Sequence, residues 1–435
     1  MNARIGIRRE DKSRWERRTP VTPEDARRLK EGHSIEVRVQ PSPIRVFSEE
    51  EFAQAGAIVQ EDLSACPVVF AVKEIPENFF EPGKAYVFFA HVVKGQPYNM
   101  PMLRRMLELG CTLIDYEKIT NGTGRRLIFF GRHAGLAGMV ETLWALGRRL
   151  EWEGMPNPFS QLRHTYEYKD LASVKEAVSE VGERLKVEGL PEPVTPLICG
   201  IAGYGNVARG VWEILDLLPI VEVEPQEIAA LVERPDHATN VIYKAVFKEE
   251  HTNEPVLPGA RFELQDYYKH PEKYRGRFES YVPYLTMVVN CIYWEEKYPR
   301  LITNECLKQL YSVGQPRLRV IGDISCDIGG AIECTVRCTE ADKPVFVYNP
   351  FTGEVTEGYT GEGPVVMAVD ILPSELPRDA SADFSRVLTP FIPAIAKADF
   401  SAPFEHLALP PEIKRAVIAH QGELTPDYRY IEQLM

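Results

Sequence analysis

The chain has 435 residues, 44% of them hydrophobic, and a formal net charge of -13. That length predicts two or three domains with ample core, and the acidic balance argues against nucleic acid or an anionic membrane surface as the main partner. Eight scattered cysteines, with no C-x-x-C pair and no histidine at ligand spacing, argue against zinc and suit reduced thiols in a cytoplasmic protein.

Strand and helix signals alternate from the start. Met1 to Ile7 reads as a first strand, with neither a secretory apolar core nor an amphipathic presequence, and no apolar run reaches the length of a membrane span. Thr22-Pro23-Glu24-Asp25 opens a helix, with proline and acids in its first turn, and Ile35 to Val39 alternates as a second strand. The continuous apolar runs Val68 to Val72 and Tyr86 to Ala90 suit buried parallel strands. Met102 to Leu109 then gives a helix, and Thr112 to Asp115 and Leu127 to Phe130 two more strands. Leu136, Met139, Val140, Leu143, Trp144, Gly147 and Leu150 share one face of a long helix. In the next helix Ser173 and Glu176 make a capping-box pattern ahead of Val178, Val181 and Leu185. His237 to Tyr298 is irregular and tyrosine-rich, in the manner of an insertion; Val320 to Ile324 and Val365 to Val369 read as strands, and the tail from Pro390 as helix and loop.

Between these stretches, Gly203-Tyr204-Gly205-Asn206-Val207-Ala208 follows the apolar run Leu197 to Ala202 and opens a helix-like segment. Glycines there permit a tight turn and close approach of backbone to a pyrophosphate, while the helix N-terminus offers unpaired N–H groups to the anion. A dinucleotide, NADP or NAD, is the cofactor this predicts; the same pattern also occurs in turns that bind nothing. Glu222 or Glu224 stands at about the distance where a carboxylate holds the ribose hydroxyls, and either also suits an edge strand in solvent. Nearly two hundred residues precede the turn, room for a complete substrate-handling lobe.

Polar residues gather at the carboxyl ends of the early strands, where open parallel sheets place ligands. Lys73 and Glu74 follow Val72, and His91 follows Ala90. A lysine at a strand end is either a solvated surface group or, partly buried with a lowered pKa, a proton acceptor; beside a histidine it makes an acid/base pair. Arg17 and Arg18 precede a helix start, Glu117 follows Asp115, and Arg125 and Arg126 precede Leu127. Arginine forks hold carboxylates and a carboxylate holds an ammonium, although each residue singly also suits an exposed surface.

Phe70-Ala-Val-Lys-Glu-Ile-Pro76, Phe89-Ala-His-Val-Val-Lys94, Asp115-Tyr-Glu117, Arg125 to Gly135 and Val369 to Arg378 together resemble the saccharopine dehydrogenases of the lysine-forming type. More closely, the chain resembles the lysine-ketoglutarate reductase half of the bifunctional aminoadipic semialdehyde synthases. Gly205-Asn-Val207, His270 to Arg275, Cys291 to Glu295, Gly322 to Gly330 and Leu424 to Leu434 extend the likeness over nearly the whole chain. A fold shared more distantly with alanine dehydrogenase and the transhydrogenase subunit is implied. It is an α/β architecture of two Rossmann-like lobes with parallel sheets, the cofactor lobe inserted into the substrate lobe and a cleft between them. The boundaries expected are 1–134 for the first part of the substrate domain, 135–330 for the dinucleotide-binding domain with an insertion near 237–298, and 331–435 for the return.

The resemblance implies that lysine and 2-oxoglutarate condense to an imine, which is reduced to saccharopine, or the reverse. It matches Lys73 and His91 to the acid/base pair and Arg17, Arg125 and Arg126 to carboxylate binding. Glu74 and Glu117 match acidic positions near the lysine moiety, and Asp327, or Asp323, and Asp370 match acids near the cofactor and the cleft. Two departures bear on the transfer: the bifunctional enzymes continue into a saccharopine-oxidising half, so a separate polypeptide is expected to process the product, and the tyrosine-rich stretch differs from the shorter fungal enzymes. Alternatives are an alanine-dehydrogenase-like reaction and a non-catalytic cofactor-binding regulatory protein. NAD against NADP and the oligomeric state stay open.

Overall fold

Buried runs of β-branched and aromatic residues build two eight-stranded sheets, one in each of two units of the chain. The computed structural model describes residues 3–435. Met1 and Asn2 of the strand-like start lie outside the described residues.

The first unit takes residues 3–130 and Pro377–Met435. Numbered in chain order through both units, its strands are β1 (Arg4–Ile7), β2 (Glu36–Val39), β3 (Ile58–Val59), β4 (Val68–Phe70), β5 (Ala85–Phe88), β6 (Thr112–Asp115), β17 (Val417–His420) and β18 (Glu423–Leu424). They run in the order β18-β17-β6-β5-β4-β1-β2-β3, with β1 to β6 parallel, β17 antiparallel to β6 and β18 antiparallel to β17. Every residue of β4 and β5 is buried, as the unbroken apolar runs predict, and so is every residue of β6. Helix α1 (Pro23–His33) starts where expected: Thr22 caps it by accepting from Asp25 N, and Ser34 closes it in the left-handed conformation. Helix α2 (Glu49–Gln54) has a full capping box of Ser48 and Glu51, and α3 is Met100–Glu108. Two expectations fail here. Leu127 to Phe130 forms no strand, its apolar side chains packing instead on the core, with Phe130 stacked on Phe384 at 5.0 Å. The tail contributes β17, a strand hidden among proline-rich loops.

The second unit is Gly131–Leu376. Its strands are β7 (Leu197–Ala202), β8 (Ile220–Glu222), β9 (Ile242–Phe247), β12 (Met287–Asn290), β13 (Val320–Asp323), β14 (Val345–Tyr348), β15 (Val355–Glu357) and β16 (Val365–Met367), while β10 (Asn253–Pro255) and β11 (Tyr274–Gly276) form a separate ribbon. The order is β15-β14-β16-β13-β12-β7-β9-β8. Residues 331–376 therefore stay in this unit, because β14 and β16 bond into its sheet, and the chain returns at 377 rather than 331. The stretch 237–298 is not a simple insertion either: β9 and β12 flank β7 directly, and only the ribbon and short helical turns between them stand outside the sheet.

Helix α4 (Gly131–Trp152) crosses α6 (Asn206–Leu215) at glycine contacts, since a Cβ at Gly210 would lie 2.1 Å from Arg132 O and one at Gly135 1.9 Å from Val207 O. Helix α5 (Leu171–Glu188) begins earlier than the capping pattern suggests, with Asp170 as its cap, accepting from Ser173 N at 2.9 Å. No helix among the described residues is long and apolar enough to cross a membrane.

Candidate active site

In the first unit, three adjacent parallel strands end in chemistry-bearing side chains. Lys73 and Glu74 lie just past β4, His91 past β5, and Glu117 past β6. Glu10, on the loop after β1, anchors the first of these: its carboxylate accepts from Val72 N at 2.7 Å and Lys73 N at 3.0 Å. Burial and the nearby Glu16 push the Glu10 carboxyl well above its ordinary range. Burial first, then the nearby Arg18 cation, lowers the Lys73 amine from its usual value, toward the neutral form.

Glu74 lies at the centre of the group. His91 Nδ1 sits 2.8 Å from its Oε1 and Lys12 Nζ 2.6 Å from its Oε2. Burial opposes that negative charge, but the bonds from His91 and Lys12 win, holding the carboxyl well below the usual range. With a carboxylate facing Nδ1, the His91 proton resides there and Nε2 is turned to other work. His91 has φ 49° and its ring stacks on Phe89 at 6.0 Å, so both backbone and packing fix its direction. At β6, Asp115 accepts from Glu117 N at 2.9 Å, and burial raises its carboxyl. Arg126 lies over Phe89, 5.2 Å from the ring centroid, donates through Nε to Ile128 O at 2.7 Å, and is drawn electrostatically to Glu117 and Asp115.

Lys73, Glu74, His91, Glu117 and Arg126 thus come together as a group. The other two arginines do not join it. Arg17 turns its Nε to Ile44 O at 3.3 Å, and Arg125 is exposed at the tip of the Asn121 to Arg125 turn. Arg18, beside Lys73, is buried in a two-pronged pair with Glu16 and lies 4.1 Å from the centre of the Phe130 ring. Glu10, Glu16 and Asp115 were not singled out by sequence reasoning; a carboxylate on a strand-end loop gives no local sign that it braces a neighbouring strand end.

In the second unit the glycine turn behaves as a dinucleotide cradle does. Gly203 has φ 102°, where a side chain is strained, and Gly205 has open space around its Cβ position. Helix α6 follows with no side chain capping its first N–H groups. A cavity of about 460 Å³ opens at the carboxyl ends of β7, β9 and β12, lined by Gly203, Tyr204, Gly205, Glu249 and an aromatic wall that includes Trp294. Its position and donor groups fit a dinucleotide. Asn206 and Val207 begin the helix itself.

The acidic positions lie on different strands and loops of the second unit. Glu222 ends β8, the outer strand, and is bonded by Lys244 at 2.9 Å; it does not line the cavity. The strand beside β7 is β9, and the carboxylate past its end is Glu249. Asp327 and Asp370 are exposed on loops after β13 and β16, also outside the cavity lining. Asp323 is a buried brace, accepting from Asn290 at 2.8 Å, Thr335 at 2.6 Å and Cys326 N at 3.1 Å.

Residues 6–137, which take in the first group, match "Alanine dehydrogenase/PNT, N-terminal domain", and residues 264–427, which begin after the glycine turn, match "Alanine dehydrogenase/PNT, C-terminal domain". The chain belongs to the alanine dehydrogenase/PNT family, whose C-terminal domain binds NAD(P). Within it, the chain is homologous over its whole length to the alpha-aminoadipic semialdehyde synthase of Arabidopsis thaliana, at 37% identity over 448 residues covering 100% of this chain and 42% of that protein. It thus spans under half the length of that relative. The saccharopine dehydrogenase (NAD(+), L-lysine-forming) of Yarrowia lipolytica is 28% identical over 402 residues, covering 88% of this chain and 90% of that one. Among solved structures, an L-alanine dehydrogenase superposes with a TM-score of 0.63 at 16% identity, covering 99% of this chain and 100% of that one. That likeness bears out the α/β fold with two largely parallel sheets.

Proposed function

We propose that the chain is an NAD(P)-dependent oxidoreductase that condenses L-lysine with 2-oxoglutarate and reduces the imine to saccharopine, or runs the reverse. The observation that carries this reading is the Lys73–Glu74–His91 group beside Glu117 and Arg126. Full-length similarity to the synthases, and the words NAD(+) and L-lysine-forming in the name of the Yarrowia relative, support it.

The chemistry needs an uncharged side-chain amine, and Lys73, biased toward its neutral form, takes the proton from the ε-ammonium of lysine. His91 acts as the acid with both ring nitrogens protonated: Glu74 holds Nδ1–H, and Nε2–H supplies the proton that lets water depart, leaving the neutral imidazole. Glu117 receives the α-ammonium group, and the terminal amino groups of Arg126 receive a carboxylate of the oxo acid. Arg17 and Arg125 meet the outer carboxylates only if their side chains turn from the directions described above. A nicotinamide bound at the glycine turn supplies the reducing equivalents, and Gly203, Gly205 and the N-terminus of α6 hold its phosphates. The eight cysteines are all free thiols, which suits a reducing, cytoplasmic setting.

The test is product identification: incubation with isotopically labelled lysine, 2-oxoglutarate and reduced nicotinamide should give labelled saccharopine by mass spectrometry. Nicotinamide oxidation without incorporation of the label would refute the assignment.

A further inference from the structure

We propose that Cys326 and Cys338 are a redox pair, oxidised by hydrogen peroxide to a disulfide that loosens one wall of the dinucleotide cavity. The cross-link stands on the two thiols alone; its effect on the cavity rests on the dinucleotide reading of the second unit.

Cys326 lies on the loop just past β13, and Cys338 twelve residues later on the segment leading to β14. Their sulfurs are 3.5 Å apart, so an approach of about 1.5 Å forms the bond. Both are partly exposed, as is Cys306, whereas the other five cysteines are buried. The hydrogen bond from the Cys326 S–H lowers the Cys338 thiol from its usual value, against burial and the nearby carboxylates of Asp370, Asp323 and Asp327. The same donation, together with burial, raises Cys326. Cys338 is therefore the attacking thiolate, and Cys326 keeps its proton.

The Cys338 thiolate attacks one peroxide oxygen, the O–O bond breaks, and hydroxide leaves to take up the proton Cys338 released, giving a sulfenic acid and water. Cys326 sulfur then attacks Cys338 sulfur, the S–O bond breaks, and the hydroxyl departs with the Cys326 proton as a second water. Two thiols have lost two electrons and the peroxide has gained them. A dithiol reductant reverses the change by exchange, and a reducing setting keeps the pair as thiols between such events.

The Cys338 side is anchored. Thr339 N donates to Ala368 O at 2.9 Å and Thr339 Oγ1 to Pro344 O at 2.8 Å, and Thr339 pairs with Val369 as an isolated bridge. Cys326 has φ 53°, and its Sγ must leave Ala368 O, 2.8 Å away, to reach its partner. Closure therefore falls on the Cys326 loop. Ser325 shares a peptide with Cys326, and its Oγ donates to Ile292 O at 2.5 Å. Ile292 lines the cavity, so drawing Cys326 toward Cys338 strips that wall of its brace.

The test treats the full chain with hydrogen peroxide and maps its cysteines by mass spectrometry without reduction. Wild type should give a Cys326–Cys338 cross-link that dithiothreitol removes. The same oxidation should raise the NADH Kd about two- to tenfold, the range for one lost hydrogen bond, followed by energy transfer from tryptophan to the reduced nicotinamide. C326S and C338S should each lose the cross-link and the change in Kd, and C306S, in the helix Asn304–Ser312, should keep both. Oxidation of Cys338 to a sulfinic acid with no cross-link, or a cross-link with unchanged NADH Kd, would overturn the proposal while leaving the oxidoreductase reading intact. A reduced chain that binds no dinucleotide yet forms the cross-link would overturn the cofactor reading and the effect on the cavity, and leave the redox pair standing.

Discussion

Replacing Gly210 by alanine tests whether the crossing of α4 and α6 sets the dinucleotide turn. A Cβ there would meet Arg132 O at 2.1 Å, Leu136 N at 2.8 Å and Arg132 C at 3.0 Å, all backbone atoms with no flexible end to yield. The helices must separate by roughly 1 Å, an overpacking that costs about 1–3 kcal/mol. Alanine's better helix propensity returns about 1 kcal/mol, so the steric term wins, and more clearly because both surfaces are main chain. At this size a net loss toward the upper end, about 2 kcal/mol, lowers Tm by roughly 4–8 °C. Trp144, Trp152, Trp212 and Trp294 all lie in the second unit, with Trp15 alone in the first, so intrinsic fluorescence during thermal unfolding reports mainly on the unit concerned. Because α6 begins at the glycine turn one helical turn earlier, the same variant should also weaken NADH binding. Gly32 is the control: a Cβ there meets nothing within 4 Å, and G32A in α1 should be neutral or stabilising by about 0.4–1 kcal/mol. A G210A protein with unchanged Tm and unchanged NADH affinity would refute the reasoning.

Other expectations follow from single groups. K73M should lower kcat for the lysine-dependent reaction by about 10²- to 10⁴-fold while leaving the NADH Kd within error, measured by steady-state kinetics alongside binding. Asp323 gives a pH signature: burial raises its carboxyl from 3.8 to about 6, against the hydrogen bonds it accepts, so the folded state holds the proton more tightly than the unfolded chain. The stabilisation from this group is full below the unfolded value of 3.8 and is lost as pH rises toward about 6. Thermal unfolding of wild type should thus lose ground relative to D323N across that window, and parallel profiles would contradict the assignment.

How much of this was legible in the sequence depends on whether the signal was local. The runs Val68 to Val72 and Tyr86 to Ala90 announced buried parallel strands and Thr112 to Asp115 a further strand, and Lys73, His91 and Glu117 were singled out because ligands gather at such strand ends. Thr22-Pro23 announced α1 for the same reason, since capping is written within four residues. Strand adjacency is not local. Nothing near Glu222 says that β8 lies at the sheet edge and that β9 takes the position next to β7. Lys244 inside β9 disguised a core strand as part of an insertion; its amine is satisfied by Asp216 at 2.7 Å and Glu222, partners that only the fold supplies. Leu127 to Phe130 erred the other way, because an apolar run packs equally well as coil once Phe384 is there to meet it. Arg125 and Arg126, adjacent in sequence, end in different surroundings, one exposed at a turn and one among Glu117, Asp115 and Phe89.

The most direct measurement of the central claim is nicotinamide oxidation across a grid of amines and oxo acids, run with wild type and K73M. The account predicts turnover only where lysine and 2-oxoglutarate are present together, and its collapse in K73M. Turnover with ammonium and pyruvate, or a rate indifferent to lysine, would contradict it.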